Sequence, residues 1–351
     1  MAPVKRIKEI SHSSDKVKKS LSILSFVFIA LQARAQDPHF SQFFSSPLTL
    51  NPANTGNFSG FARASANYRN QWPSFGNAYT TSTASIDGAV FKKYIPEGDR
   101  LSLGLLMLSD QSGNGILKEN HLGVSAAYTK GLDMVGNHSI TAGFQGSFSS
   151  LGFDQNKANF EDEISASGFT LPSSEVLLSR DLGRQYLDMH AGLLYKGSFS
   201  ENDLFYAGAS VYHLKTPSLG FSSPNYFIQR RYNVHGGGYI ALGYATTVHA
   251  SFQYQQQFNY KEFVLGGAIS QLLVDKQKTY TELYAGAWIR NNDAIIPYLG
   301  IEWNSLRAGF SYDINYSKRK AASAMYQSAE ISLNWIFNME EGALTVKCPK
   351  F

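Results

Sequence analysis

The chain has little cysteine, little charge and no long hydrophobic run outside its first 35 residues. Its single cysteine, Cys348, excludes an intramolecular disulfide. Charged side chains make up 17% of the residues, and outside residues 21–31 no apolar run approaches the roughly 18 residues of a spanning helix. The His-Glu-x-x-His, Gly-x-Ser-x-Gly and phosphate-loop motifs are missing. The sequence therefore predicts neither an enzyme nor a cofactor.

The first 35 residues predict a signal peptide. Residues 21–31 (LSILSFVFIAL) form an apolar core of eleven residues, and residues 33–35 (ARA) fit a small-x-small cleavage site. The mature chain is therefore expected to begin at Gln36. This segment has a net charge of +5 against +4 for the whole chain, so the mature protein is close to −1. Such a charge gives no support for nucleic-acid binding. The basic region before the apolar core consists of Lys5, Arg6, Lys8, Lys16, Lys18 and Lys19.

Apolar and polar residues alternate through most of the mature chain. The pattern is clearest in residues 329–337 (AEISLNWIF) and recurs in residues 62–69, 248–255 and 306–315. Successive side chains of a strand point to opposite faces, so each stretch has one apolar and one polar face. Fourteen strands are predicted, which begin near Phe61, Ser82, Leu101, His121, His138, Tyr186, Leu204, Arg231, Thr247, Glu262, Tyr280, Ile296, Leu306 and Gln327.

The sequence thus predicts an all-β protein, a transmembrane antiparallel β-barrel of about 14 strands, with outer-membrane lipid around it. If the first strand starts in the periplasm, the longest connections (109–120, 150–185, 214–230 and 316–326) all face outside, and short turns face the periplasm. Residues 61–337 are assigned to the barrel. Residues 36–60 form an irregular N-terminal segment, expected at the periplasmic mouth or inside the lumen. Residues 338–351 form a C-terminal tail.

Histidines and charges lie on the polar strand face without a catalytic pattern. His190 and His249 are predicted to bond to neighbours or water rather than to a metal, and the proximity of His249 to Ser251 is expected from a serine-rich face. The charges predict a salt-bridge network in the lumen, and the alternative is the lining of a selective channel. They are Arg63, Arg69, Glu282, Arg290, Glu302, Arg307, Asp313 and Glu330.

Two predicted outer connections are candidates for binding. Residues 150–185 contain four clustered acids without the EF-hand spacing, which favours a solvated or partner-contacting surface over a calcium site. Residues 214–230 are unusually aromatic for a connection and are the first candidate for a protein partner. The residues proposed there are Pro217, Phe221, Tyr226 and Phe227. Trp72 is expected to be a girdle aromatic at the end of the first strand, with a role in partner binding left open.

Short motifs at both ends of the mature chain carry a family resemblance. They are residues 37–43 (DPHFSQF), 50–56 (LNPANTG), 68–73 (YRNQWP), 81–87 and 348–351 (CPKF). These motifs resemble the PorP/SprF family of Bacteroidota outer-membrane proteins. Residues 100–330 match that family only in the alternation of apolar and polar residues that is typical of barrel strands. The matching residues are Asp37, Pro38, Phe40, Ser41, Gln42, Phe43, Asn51, Pro52, Ala53, Gly56, Arg69, Gln71, Trp72, Asp87, Cys348, Pro349 and Phe351.

The resemblance implies a component or accessory of the type IX secretion system in the outer membrane. Such a protein would assist the export or surface attachment of a large secreted surface protein, a gliding adhesin in some relatives. Its outer loops would dock this cargo, and the N-terminal segment and the tail would contact periplasmic components of the system. An outer-membrane channel for small or hydrophobic solutes is the alternative function.

Overall fold

The computed structural model describes residues 37–73, 79–91, 94–133, 136–165, 168–169, 183–200, 203–219, 227–276, 279–316 and 327–337. Residues Pro38–Phe351 belong to one compact unit. The predicted signal peptide lies outside the described residues, and so do Phe221, Tyr226, Cys348, Pro349 and Phe351.

Fourteen long strands form the wall of the molecule. We number them β1 to β14 along the chain. They are Ala62–Gln71, Tyr79–Val90, Arg100–Ser112, Leu117–Gly131, Ser139–Phe153, Gly183–Gly197, Asp203–Tyr212, Arg231–Ala241, Thr246–Gln257, Tyr260–Lys276, Thr279–Arg290, Ala294–Trp303, Leu306–Asn315 and Ser328–Phe337.

The strands close into a barrel in which each strand pairs antiparallel with its neighbours along the chain. The seam joins β1 to β14, from Ala62 opposite Phe337 to Gln71 opposite Ser328. A closed sheet satisfies its backbone hydrogen bonds internally, as lipid surroundings require. The predicted antiparallel barrel of fourteen strands is therefore confirmed.

The alternation in the sequence becomes an alternation between lipid and lumen. In β5, Ile140, Phe144 and Phe148 are exposed on the outside, whereas Gln145 and Ser147 are buried inside. In β14, Ile331, Leu333 and Trp335 are exposed, and Glu330 and Ser332 are buried. An apolar exterior around a polar interior is the pattern of an outer-membrane barrel. Among the described residues, no helix is long and apolar enough to cross a membrane.

The two ends of the barrel differ in their connections. The three longest connections (154–182, 213–230 and 316–327) lie at one end, here called the loop end. The opposite end, called the turn end, contains connections 91–99, 132–138, 198–202, 242–245, 277–278 and 304–305. The loop end also has tight turns at 258–259 and 291–293. The asymmetry of the barrel thus comes from three connections and is not a property of every connection at the loop end.

The predicted loop 109–120 is wrong. Strands β3 and β4 pair as far as Ser112 opposite Leu117, which leaves only residues 113–116 as a turn. Gly113, Asn114 and Gly115 all have positive φ angles, of 60°, 58° and 82°. Glycine and asparagine adopt this backbone conformation readily, and tight hairpin turns depend on it.

Short elements complete the described structure. The connection between β5 and β6 contains 3-10 turns at Gln155–Lys157 and Glu161–Glu163, and a small hairpin of Ile164–Ser165 with Gly168–Phe169. Ahead of β1, a 3-10 turn Phe43–Ser45, a one-turn helix Pro47–Leu50 and a 3-10 turn Pro52–Asn54 follow one another. Pro47 and Pro52 each stand at the start of their element, where a missing N–H costs no hydrogen bond.

Candidate functional site: the segment inside the barrel

Residues 38–58, which we call the luminal segment, lie inside the barrel and run along it from the loop end to the turn end. At the loop end, His39 Nε2 is 3.2 Å from Oε2 of Glu262, near the start of β10. At the turn end, Arg100, the first residue of β3, donates to the carbonyls of Gly56 at 2.8 Å and Phe58 at 2.9 Å. The N-terminal segment is expected from sequence either at the periplasmic mouth or inside the lumen, and in the structure residues 38–58 lie inside the lumen.

A charged network binds the loop-end part of the segment. Arg290 donates to Ser41 Oγ at 2.6 Å and to Asp313 Oδ2 at 3.0 Å, and Ser41 Oγ donates to the same carboxylate at 2.8 Å. Arg69 donates to Asp313 at 3.1 Å and also to the carbonyl of His39. The three charged wall residues are buried, at 2–4% exposure. Buried charges are tolerated when they are paired and hydrogen-bonded, and here the segment contributes to that pairing.

The carboxylate of Glu330, on β14, forms hydrogen bonds with the backbone of the luminal segment. It accepts from the amides of Ser41 at 2.7 Å and Gln42 at 3.1 Å. The Gln42 side chain donates to Ser311 Oγ at 3.0 Å and accepts from Ser332 Oγ at 2.6 Å. Gln42 is therefore held by β13 and β14 through both ends of its amide.

Aromatic packing holds the middle of the segment. The Phe44 ring lies 4.8 Å from the ring of Trp288 and 5.5 Å from that of Tyr298, measured between centroids. Phe43 and Leu50 belong to the same buried cluster. Aromatic pairs at 4.5–7 Å add about 0.5–1.5 kcal/mol each beyond the area that they bury. This cluster is the apolar contact between the segment and strands β11 and β12.

Asn51, Pro52 and Ala53 lie against a part of the wall that has no side chains. A Cβ added to Gly143 of β5 would lie 2.3 Å from the nitrogen of Ala53, and one added to Gly192 of β6 would lie 1.9 Å from Asn51 Oδ1. Asn51 is fully buried and donates to the carbonyl of Leu193 at 3.0 Å. The glycines therefore allow the segment backbone to touch the wall directly.

A second ionic contact fixes the turn-end part of the segment. Asp87 Oδ2 accepts from the amide of Gly56 at 2.6 Å and from Arg63 Nη2 at 2.8 Å. Arg63 also donates to the carbonyl of Asn54 at 3.1 Å and lies over the ring of Phe58 at 4.8 Å. Gly56 has a φ angle of +71°, which favours glycine at this bend.

The predicted lumen charges form three separate groups and not one connected network: the Arg63–Asp87 pair and the groups around Arg307 and Asp313. Arg307 binds Glu302 at 2.7 Å near the turn end, where the Tyr284 hydroxyl lies 2.9 Å from Glu302 Oε2 and 2.5 Å from Glu282 Oε2. Asp313 lies near the loop end of the same strand and binds Arg69 and Arg290. The two residues share a face, but six positions along a strand separate them by about 20 Å.

Outside the strands, Asp99 connects the turn 91–99 to β4. Its carboxylate accepts from the hydroxyl of Tyr128 at 2.5 Å, from Lys130 Nζ at 3.0 Å and from the amide of Gly131 at 3.0 Å. The Tyr128 hydrogen bond and then the Lys130 contact hold the pKa of Asp99 below its usual range. The Lys130 side of this contact is 56% exposed, whereas the Asp99 side chain is covered, at 2%.

The residues of the family resemblance are brought together in this arrangement. Phe40, Ser41, Gln42, Phe43, Asn51, Pro52, Ala53 and Gly56 belong to the luminal segment and are buried. Arg69 and Asp87 lie on the wall and bind that segment. Pro38 lies at its loop-end start, and Asp37 is the first described residue. The motifs in the first strands and in the segment thus meet in space.

The proposed partner-binding residues that the structure describes, Trp72, Pro217 and Phe227, lie at the loop end. Trp72 follows β1 and packs edge-on against Tyr79 at 5.2 Å, and Gln71 is the last residue of β1. Pro217 and Phe227 lie in the connection 213–230, in which Ser218 and Phe227 form an isolated bridge. Phe227 is 44% exposed.

Sequence reasoning did not find several wall contacts of the segment. The ion pair of His39 with Glu262 and the packing of Phe44 on Trp288 join residues more than 200 positions apart. The available signal was the aromatic content of residues 36–60, which is unusual for a solvated segment.

His249 bonds Ser270 Oγ at 3.0 Å and His190 bonds Ser147 Oγ at 3.0 Å, so both face neighbours in the lumen.

A closed antiparallel barrel with an apolar exterior and a polar lumen defines an outer-membrane β-barrel protein. The family described as type IX secretion system membrane protein PorP/SprF matches residues 32–335. The chain belongs to this family, and it is an outer-membrane barrel of the type IX secretion system. The family and the fold are those of a secretion or transport barrel and not of an enzyme family.

Solved structures with a similar fold include the toluene transporter TbuX of Ralstonia pickettii, with 10% identity and a TM-score of 0.48, covering 84% of this chain and 94% of that chain. A FadL homologue of Pseudomonas aeruginosa has 10% identity and a TM-score of 0.47, with the same coverage. The KdgM porin has 9% identity and a TM-score of 0.37, covering 79% of this chain and 99% of that one. No curated protein matches the chain. Likenesses at this level do not indicate what the present barrel binds.

Proposed function

We propose that this protein is a docking barrel of the type IX secretion system, which assists the export or surface attachment of one large secreted surface protein. The loop end faces the cell exterior and receives that cargo. The turn end and the C-terminal tail face the periplasmic components of the system. A gliding adhesin is a cargo of the expected kind.

The filled lumen is the observation that carries this proposal. The luminal segment contacts the wall by hydrogen bonds to charged wall residues at both ends, by aromatic packing in the middle and by backbone contact at Gly143. A segment packed against the wall along the lumen obstructs the aqueous path that a diffusion porin needs. The barrel wall also presents the long connections at the loop end.

The connection 213–230 supports the loop end as the docking surface. Among its described residues, Phe227 is the exposed large apolar side chain, at 44%, whereas Pro217 is buried. Leu214 and Ile228 are fixed by backbone hydrogen bonds to Met189 and Pro217. An exposed aromatic side chain on a fixed loop is suited to protein interaction. Phe227, with Pro217, Phe221, Tyr226 and Trp72, remains among the proposed partner-binding residues.

Deleting the gene should remove one large protein from the cell surface and leave other type IX cargo in place. Surface proteomics of protease-shaved cells would measure this, with a mild-detergent pull-down of the tagged barrel to identify the bound protein. Complementation with the wild-type gene should restore surface display. Unchanged surface display of every type IX cargo in the deletion strain would contradict the proposal.

A matched pair of phenylalanines refines the same experiment. Phe227→Ala should weaken cargo capture, whereas Phe258→Ala should not. Phe258 is equally exposed at 44% and lies at the same end, in the turn between β9 and β10. Equal loss of capture in both variants would indicate a general defect of the loop end rather than a docking role of Phe227.

A channel for small or hydrophobic solutes is the competing function, and it requires the luminal segment to leave the lumen. Bilayer conductance or liposome swelling with the wild-type protein would support that function. Partner-free barrels in the pull-down, together with such conductance, would replace the docking proposal.

A further inference from the structure

We infer that Asp188, His190 and His213 form a binding site for a divalent transition metal of the zinc class, which fastens the connection 213–230 to the barrel wall. The inference is independent of the cargo proposal. It concerns the wall beneath that connection, at the loop end.

The three side chains converge from two parts of the chain. Asp188 and His190 lie on the lumen face of β6, and His213 directly follows β7. One ligand atom from each residue lies within 4.8 Å of the others, and all three residues are 3–6% exposed. A tetrahedral zinc site, with bonds of about 2.0–2.2 Å, separates its ligand atoms by roughly 3.3 Å. Small side-chain movements would therefore complete the site.

His190 offers its Nδ1 to the site. In the structure this nitrogen accepts a hydrogen bond from the amide of His213 at 3.2 Å, which a bound metal would replace. Its Nε2 is 3.0 Å from Ser147 Oγ. Since Nδ1 accepts, the neutral ring carries its proton on Nε2 and donates it to Ser147. Ligating histidines are commonly held in this way, by a partner on the nitrogen that faces away from the metal.

Asp188 supplies a buried negative charge to the site. Within the described part of the chain, its ion pair is with Nδ1 of His213, and its other oxygen accepts from the amide of Met189 at 2.7 Å. An isolated buried carboxylate is costly, and a bound cation compensates for it more completely than a histidine that must be protonated to do so. Two imidazoles and one carboxylate are a ligand set suited to zinc, with a fourth position for water.

The position of the site gives the metal a mechanical role. Pairing between β6 and β7 ends at Ala191 opposite Val211, so the start of β6 extends beyond β7. Past that point, the amide of Leu214 donates to the carbonyl of Met189 at 3.0 Å. His213 has a φ angle of +59°, which turns the chain at this place. A metal bound to His213 and to two β6 residues would join the connection to the wall where strand pairing stops.

The barrel contains a matched control for a simple histidine–acid pair. His121 Nε2 lies 3.2 Å from Glu119 Oε1, and His121 Nδ1 contacts Ser149 Oγ. The His121–Glu119 pair on β4 and the cluster on β6 lie toward the loop end on either side of β5, but His121 does not belong to a three-ligand cluster among the described residues. His121→Gln therefore tests for nonspecific effects of losing a lumen histidine.

The experiment uses the full folded barrel in detergent, purified with a histidine-free tag and loaded with Zn²⁺ or Co²⁺. We expect one equivalent of Zn²⁺ after gel filtration and a Co²⁺ visible spectrum typical of four-coordination. His190→Gln and His213→Gln should each weaken Zn²⁺ binding by more than the roughly 10–100-fold lost when only an outer-shell partner is removed, and His121→Gln should bind as the wild type does. Trypsin cleavage after Lys215 should be slower with Zn²⁺ than after EDTA treatment.

Substoichiometric Zn²⁺ on the wild type would overturn the inference, as would unchanged binding in the His190→Gln, His213→Gln double variant. If the variants do not fold, as judged by heat-modifiable migration, the wild-type trypsin assay decides. Equal cleavage after Lys215 with Zn²⁺ and with EDTA would then overturn the inference, and protection that depends on Zn²⁺ would support it.

Discussion

A valine at Gly143 should open the barrel to ions. The new Cβ would lie 2.3–2.5 Å from backbone atoms of Pro52 and Ala53, and a side-chain rotation cannot relieve overlap with a backbone. Overpacking of this kind costs about 1–3 kcal/mol when the surroundings adjust, and here the adjustment is displacement of the luminal segment. We expect stepwise single-channel currents in planar bilayers from Gly143→Val, and only leak currents from the wild type.

Gly146→Val is the matched control for this experiment. Gly146 lies on the same strand, and a Cβ built there meets no atom within 4 Å. This variant should remain as closed as the wild type. Channels of equal size in Gly146→Val, or no channels in a folded Gly143→Val, would contradict the role assigned to the segment.

Replacing Arg290 by methionine should strongly destabilise the barrel. Arg290 binds Asp313 at 3.0 Å and Ser41 at 2.6 Å and lies 3.4 Å from Glu262, and its side chain is only 5% exposed. Removing one partner from a buried ionic network typically costs about 3–5 kcal/mol, because the remaining charges stay buried. Urea unfolding in detergent or lipid should show a loss of about this size in the free energy of unfolding.

Lys130→Met provides the comparison for an ion pair with an exposed cation. Lys130 binds Asp99 at 3.0 Å, and the Lys130 side chain is 56% exposed, whereas that of Asp99 is 2% exposed. Solvent screens the Lys130 charge, and the Asp99 carboxylate keeps its hydrogen bonds from Tyr128 and Gly131, so we expect a much smaller change in the unfolding curve than for Arg290→Met. If Arg290→Met were as mild as Lys130→Met, water would have to reach the loop-end network, and the segment would not seal it.

The barrel could be predicted from sequence because its signal is local. Each strand shows its alternation within about ten residues, and a tilted membrane strand needs that length. Phe337 was predicted to end the last strand, and β14 ends there. The loop predicted at 109–120 is wrong for a local reason as well, because Gly113, Asn114 and Gly115 form a tight turn that lets the two strands extend to Ser112 and Leu117.

The interior of the barrel could not be predicted in the same way. Ser41 and Asp313 are 272 positions apart, and no local pattern indicates that they meet. Charges on one strand face also do not show which residues pair with each other, because Arg307 and Asp313 share a face but belong to different networks. A signal was present in Arg69 and Asp87, which are charges on lumen-facing positions and therefore require partners. Each of the two residues pairs with a charged wall residue, Asp313 or Arg63, and also binds the luminal segment.

Photo-crosslinking from Phe44 in living cells tests the filled lumen most directly. With p-benzoyl-phenylalanine at this position, irradiation should join the segment to the barrel's own strands β11 and β12, around Trp288 and Tyr298. Mass spectrometry of the cross-linked peptide would identify the site. Cross-links to a periplasmic protein, or to no part of the wall, would show that the segment lies outside the barrel and would contradict this account.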